Sequence, residues 1–371
     1  MYDCIVVGGG LIGMMTARQL TLEGQSVLVL DQGQLGAESS WAGGGILSPL
    51  YPWRYPQAVS ELAAYSHQHY PALAQALEAE SGIDPQWTQS GLLILDVEEK
   101  QQAHAWAKQF GWKLDDIEQA SELLALEPNL GKQADQALWM PEVAQVRNPR
   151  LVKSLKASLQ HHQVEFAEQE AVSGIDIEQG RVVGVNTQHR KISAAKVVIT
   201  AGAWSASLLQ QAGIRVNVEP VRGQMLVFKA VPELVKHTIL HQGHYLIPRR
   251  DGRVLMGSTL EYVGFNKAIT EAAREELIAC AQALVPALAQ YEVEKHWSGL
   301  RPGTPTGVPF IGSSPATEGL YFNCGHFRNG VILGLASVDL LVDLMLGRKP
   351  AIDPAAYTVG ESLLPGVMKK T

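Results

Sequence analysis

The sequence predicts a mixed architecture, α/β and α+β, in which a parallel sheet is interrupted by mainly antiparallel material. Three observations predict it. The first thirty residues run as an apolar segment, Tyr2–Val7, a glycine turn, a helical stretch, Leu11–Leu22, and a second apolar segment, Ser26–Leu30. Two later apolar segments, Lys196–Thr200 and Leu320–Asn323, are each followed by a glycine-containing turn and a helical pattern, the strand–turn–helix order of a parallel, doubly wound sheet. Between them, Gly91–Val97, Gly223–Lys229, His244–Arg250 and Arg253–Thr259 alternate apolar and turn residues, notably in RRDGR at Arg249–Arg253, and read as antiparallel strands and hairpins.

At 371 residues the chain is long enough for two domains. The expected division places 1–85, 145–215 and 300–371 in a discontinuous cofactor domain, and 86–144 and 216–299 in a substrate domain. Hydrophobic residues make up 46% and charged residues 18%, as in ordinary globular proteins. A net charge of -7 with no Lys/Arg stripe excludes nucleic acid as the expected partner. Cys4, Cys280 and Cys324 are widely spaced and read as reduced thiols, and no histidine has metal-ligand spacing. The His161-His162 pair reads as surface. The start, MYDCIVVGGG, lacks the basic region of a signal peptide, and Gly330–Gly347 is broken by Asp339 and Asp343, so no membrane span and a cytoplasmic location are expected.

The turn after the first segment, Gly8-Gly9-Gly10-Leu11-Ile12-Gly13, satisfies GxGxxG. Gly8 permits the tight turn, Gly10 lets backbone approach a pyrophosphate, and Gly13 allows close packing of helix on strand. The following helix directs its free N–H groups at the phosphates. Asp31 ends the next strand, where an acid accepts ribose hydroxyls and disfavours a 2′-phosphate. Together these define a Rossmann-like dinucleotide site. Its position at the extreme N-terminus favours FAD over NAD, and two later segments support that choice. Thr200–Ser205 (TAGAWS) turns on Ala201 and Gly202, leaving room for a cofactor or another backbone. Gly325–Gly330 (GHFRNG) precedes a helix whose N-terminus can stabilise negative charge on a reduced flavin. Ordinary close packing stays open for each segment taken alone.

On GGGLIG, SSWAGGGIL at Ser39–Leu47, TAGAWS, HYLIPRR, GLRPGTP and GHFRNGVIL, the chain resembles the glycine oxidase branch of the D-amino acid oxidase family over nearly its whole length. The resemblance implies a glutathione-reductase-like FAD domain with an inserted sheet. It implies FAD contacts from Leu11, Ile12, Asp31, Gln32, Ser39, Ser40, Gly43, Gly44, Gly45 and Val172, and from the loop His326, Phe327, Arg328, Asn329, Gly330, Val331 and Ile332. Relatives that bind flavin covalently carry a cysteine near the segment matching Gly299–Thr306, which has none here, so FAD is expected to be non-covalent. A homotetramer is also implied.

Such an oxidase must hold a carboxylate, set Cα beside the flavin and present an uncharged amine, and it needs no strong protein base. A guanidinium fork suits the carboxylate. Arg301 is the candidate, and the resemblance points to the same residue; the alternative is a buried arginine paired with an acid. Tyr245 and Arg328 are implied to join it; a lone strand tyrosine is also an ordinary core residue, and the alternative for Arg328 is a salt bridge fixing the loop. Gly243, Leu260 and Ile46 stand where better-known members of the branch carry histidine or methionine. The expected substrates are therefore a set, glycine, sarcosine, D-alanine and D-proline, with O2 as oxidant and iminoglycine supplied to the thiazole of thiamine. A flavin-linked D-amino acid dehydrogenase serving a quinone and a non-catalytic flavoprotein subunit are the alternatives. The aromatic run Tyr51–Pro56 reads equally as a lid or as a packed loop.

Overall fold

Alternation along Tyr2–Val7 divides its side chains between two cores. In the computed structural model, which describes residues 1–132 and 134–359, Cys4 and Val6 pack into one cluster while Ile5 and Val7 pack into another. A strand covered on both faces must be apolar throughout, and this one is buried from Cys4 to Val7. It is central in an eight-stranded sheet, paired in parallel with Val27–Leu30 and with Lys191–Ile199. Glu165–Ala167 and Leu320–Cys324 extend the parallel array, and Phe310–Ser313 closes one edge antiparallel. The helices Leu11–Leu22, Gln57–Ser81, Asn148–His161 and Gly330–Met345 cover one face. An antiparallel meander formed by Val172–Glu178, Arg181–Thr187 and Lys191–Ile199 covers the other.

The second sheet also has eight strands, in the spatial order Val293–Gly303, Glu219–Phe228, Val254–Gly257, His244–Pro248, Thr238–His241, Leu92–Ile94, Ala137–Met140 and Asp115–Ile117. Its pairs are antiparallel except that Thr238–His241 lies parallel to Leu92–Ile94. RRDGR forms the turn between His244–Pro248 and Val254–Gly257, closed by the Arg249 N–H donating to the Arg253 carbonyl at 2.8 Å. Val293–Gly303 continues past residue 300, where Arg301, Pro302 and Gly303 still pair with Val221, Pro220 and Glu219. Residue 133, and residues 360–371 of the 300–371 segment, lie outside the described residues.

Gly330–Met345 is a helix lined with buried Leu, Val and Ile, and among the described residues no helix is long and apolar enough to cross a membrane. The three cysteines are free, Cys4 and Cys324 being buried. His161 is exposed, whereas His162 is partly buried with Nε2 3.3 Å from Glu80. Its backbone follows the helix end, which turns the ring back onto the Arg18–Glu80 ion pair rather than out to solvent.

Candidate active site

The turn after the first strand is shaped by what glycine lacks. Gly8 has φ +107°, and a Cβ there would lie 2.6 Å from the Thr200 carbonyl oxygen. A Cβ on Gly13 would overlap the Gly8 carbonyl, so helix Leu11–Leu22 sits against the turn only with glycine at that position. Thr200 secures the neighbouring strand end, its hydroxyl donating to the Gly8 carbonyl at 2.8 Å. Asp31 spans the turn, accepting from the Gly9 N–H and the Gly33 N–H, both at 2.7 Å. Burial raises its carboxyl above the usual value, and the two N–H donors oppose the rise.

A cavity of about 350 Å3 runs from this turn to the second sheet, within the size range of small-molecule sites. Gly8, Gly10, Leu11, Ile12, Asp31, Gln32, Ser39, Ser40, Gly43, Gly44, Gly45, Val172, Ala201 and Gly202 line it. So do His326, Phe327, Arg328, Asn329, Gly330, Val331, Tyr245 and Arg301. Two expected residues do not. Gly13 lies behind the wall, packed on Gly8. Ile332 is 1% exposed and belongs to the hydrophobic core, because the helix that begins at Gly330 turns its third residue inward.

The polar groups left over fit a dinucleotide with a flavin ring. Among the described residues, the N–H groups of Gly330, Val331 and Ile332 have no acceptor, and no side chain caps that helix. Asn329, 4% exposed and preceding the helix, has an unpartnered buried Nδ2. The Ile12 N–H is likewise free, while Leu11 N–H donates to Ser40 Oγ at 2.8 Å. Two helix N-termini with open donors therefore face one cavity, the arrangement that pyrophosphate and an electron-rich ring edge require. His326 presents no charge: it is 3% exposed, its Nε2 lies 3.0 Å from Ser337 Oγ, and burial pushes its pKa down to about 3.

At the far end, Arg222 and Arg301 on strands of the second sheet and Arg249 in its hairpin turn differ in their partners. Arg222 is 4% exposed and paired with the partly exposed Glu261. Arg301 donates only to neutral oxygens: Ser258 Oγ at 2.7 Å, the Thr259 carbonyl at 3.1 Å and the Arg222 carbonyl at 3.4 Å. Arg249, 7% exposed, is also without an acid. Burial pushes the Arg301 guanidinium down from its usual value; the Tyr245 phenol opposes this, and the nearby Arg328 charge adds to it. Gly223 makes room for the guanidinium, since a Cβ there would overlap it. Tyr245 is 7% exposed, its hydroxyl 3.8 Å from Met225 Sδ. Arg328 has no ion pair among the described residues and also borders a second, more open cavity lined by Gly243, Leu260, Ser258 and Thr259. Ile46 lines the main cavity.

The aromatic run is pinned. Tyr51 is 5% exposed and donates to Asp96 at 2.5 Å, Trp53 Nε1 donates to Glu99 at 2.5 Å, and the Arg54 guanidinium stacks on the Tyr51 ring at 4.0 Å. It is a packed loop, with Leu50 and Ser48 just before it on the cavity wall. Sequence reasoning missed Thr200, Gly223, Met225 and Arg249. Thr200 and Arg249 stood inside quoted motifs, whereas Gly223 and Met225 carried no local signal.

A Rossmann-like sheet with open helix N-termini, joined to a sheet that offers an unpaired guanidinium, defines a flavin-dependent oxidoreductase acting on a small acid. Comparison with known proteins agrees. The profile of the family described as FAD dependent oxidoreductase matches residues 3–344, and the chain belongs to that family; its cofactor is FAD. A glycine oxidase of Pseudomonas aeruginosa is 48% identical over 354 residues, covering 95% of this chain and 97% of that protein. The bifunctional protein ThiO/ThiG of Trichormus variabilis is 33% identical over 94% of this chain and 53% of its own length. The crystal structure of glycine oxidase from Geobacillus kaustophilus superposes with a TM-score of 0.92 at 29% identity, covering 97% of this chain and 98% of that one.

Proposed function

We propose that this chain oxidises glycine and other small amines or D-amino acids (sarcosine, D-alanine, D-proline) to the imine and then the 2-oxo acid, with O2 reduced to H2O2. One observation carries the reading: Arg301, enclosed beside the FAD cavity, has neutral partners only, while its neighbour Arg222 takes the acid Glu261. A partly buried guanidinium left in that state on a cavity wall is stabilised by a ligand carboxylate. The names of the P. aeruginosa and G. kaustophilus proteins support glycine as substrate, and the ThiO/ThiG relative supports delivery of the imine to thiazole synthesis.

In this reading Arg301 takes the substrate carboxylate through its fork, Tyr245 adds a phenolic donor, and Arg328, which lines both cavities, lies beside flavin and substrate. FAD, when bound, accepts the hydride from Cα. The chain's task is to orient Cα and keep water out, and His326, whose buried ring resists taking up a proton, is a poor base for the step. FAD is held non-covalently by the lining residues from Gly8 to Val331, with Asp31 on the ribose. The division into a cofactor domain (1–85, 145–215, 300–371) and a substrate domain (86–144, 216–299), and a homotetramer, complete the proposal.

Anaerobic mixing of the FAD-loaded protein with glycine, followed by air, tests it. Bleaching of the flavin and rapid recovery with peroxide supports the oxidase. Bleaching with slow recovery points instead to a dehydrogenase that serves a quinone. No bleaching with any of the four amines leaves a non-catalytic flavoprotein subunit.

A further inference from the structure

Arg249 closes the hairpin turn of the second sheet, yet its guanidinium is spent elsewhere. Nη1 donates to Gln145 Oε1 at 2.5 Å and to the Val146 carbonyl at 3.0 Å, and Nη2 donates to the Gly44 carbonyl at 2.6 Å. Nε is buried without an acceptor. The nearby Asp251 is engaged by Arg147 at 2.7 Å and by Arg253 at 2.9 Å. Burying a cation against neutral oxygens alone is expensive, and the turn itself needs only backbone bonds. Burial lowers the guanidinium to about 9, with Arg147 adding to the effect, so it stays charged at neutral pH.

The Gly44 contact gives the charge a use. In a trans peptide the C=O and N–H point to opposite sides. The Gly44 carbonyl faces Arg249, so the N–H of Gly45 faces the other way. Gly44 and Gly45 both line the cavity, and among the described residues the Gly45 N–H has no acceptor. The chain is held from behind as well: the Val146 N–H donates to the Gly45 carbonyl at 2.9 Å, and a Cβ on Gly45, at φ +82°, would overlap the Val146 carbonyl.

We propose that Arg249 is a positioning residue for the cofactor: it aims and polarises the Gly44–Gly45 peptide so that the Gly45 N–H donates to the electron-rich edge of the flavin ring, and its buried charge favours negatively charged forms of that ring. A cation behind a peptide strengthens the N–H in front of it, as charge-assisted donors do. The inference rests on the assignment of this cavity to FAD.

Sulfite adds to oxidised flavin as an anion, so its affinity reports how well the protein supports negative charge on the ring. FAD-loaded wild type, Arg249→Lys and Arg249→Met are titrated with sulfite by visible absorbance, and FAD affinity is measured in parallel. Removing the charge in Arg249→Met should weaken sulfite binding by about tenfold or more, whereas Arg249→Lys should stay within about threefold of wild type. Equal sulfite affinity in wild type and Arg249→Met overturns the proposal. Equal weakening in Lys and Met also overturns it, because the residue then acts only as a clasp. If Arg249→Met does not fold, Arg249→Gln set against Arg249→Lys gives the same reading. Failure of the wild type itself to take up FAD would instead remove the cofactor assignment.

Discussion

At the end of the cavity built from residues 8–45 the groups on offer are backbone N–H donors, exposed by glycines whose missing Cβ atoms let chain lie on chain. At the other end, on the second sheet, they are side chains: Arg301, Tyr245 and Arg328. The first end depends on close backbone approach, so its sequence is nearly fixed over a few consecutive residues. The second depends on a charge left deliberately without a partner, which no local pattern records. A mutation should therefore abolish cofactor binding at one end, and at the other weaken substrate while leaving the cofactor in place.

The sharpest break would come from Gly13→Val, whose side chain has no space against the Gly8 carbonyl. The expected outcome is a protein that loses FAD and much of its thermal stability, seen as absent flavin absorbance and a lowered Tm. Next in size, Arg301→Ala should lower kcat/KM for glycine by roughly 2–5 kcal/mol of transition-state binding while FAD content stays at the wild-type level. Gly223→Ala pushes a methyl into the Arg301 guanidinium; displacing it should cost about 1–3 kcal/mol in the same kinetic measurement, again with FAD retained. Tyr245→Phe removes one donor and should raise KM by an amount equivalent to about 0.5–1.5 kcal/mol.

A separate effect, on stability rather than on catalysis, concerns pH. His326 is held neutral, its pKa lowered from 6.5 to about 3 by burial. Below about pH 6.5 the unfolded chain binds a proton that the folded chain refuses, so stability is full above that value and falls as pH drops towards 3. Comparing urea midpoints of wild type and His326→Asn between pH 7 and 4 should show the wild type losing more, by at most about 1.4 kcal/mol per pH unit. An unchanged difference across that range would mean that the ring takes up its proton as readily in the folded protein as in the unfolded chain.

How much the sequence disclosed follows the same division. Tyr2–Val7 and Leu11–Leu22 have the limits their periodicity predicts, because burial and turn chemistry there are local. Gly91–Val97 shortens to Leu92–Ile94, and its parallel pairing with Thr238–His241 could not be read, since register between distant segments is set by tertiary packing. The loop His326–Val331 was legible as a cavity wall, but Ile332 was not separable from it until the helix start at Gly330 fixed which way each residue faces. Arg301 could be nominated from its chemistry. What distinguishes it from Arg222, one with an acid and one without, exists only after strands Glu219–Phe228 and Val293–Gly303 are brought together. Arg249 read as a turn residue for the same reason: Gln145, Val146 and Gly44 reach it from far along the chain.

On the proposed function, Arg301 holds the substrate carboxylate beside the flavin. Acetate offers that group without an oxidisable amine, and titrating it into FAD-loaded wild type and Arg301→Ala while recording the visible flavin spectrum isolates the contact. That role requires a saturable spectral shift in the wild type and a loss of acetate affinity of roughly thirtyfold or more in the variant. The same dissociation constant in both proteins would contradict it.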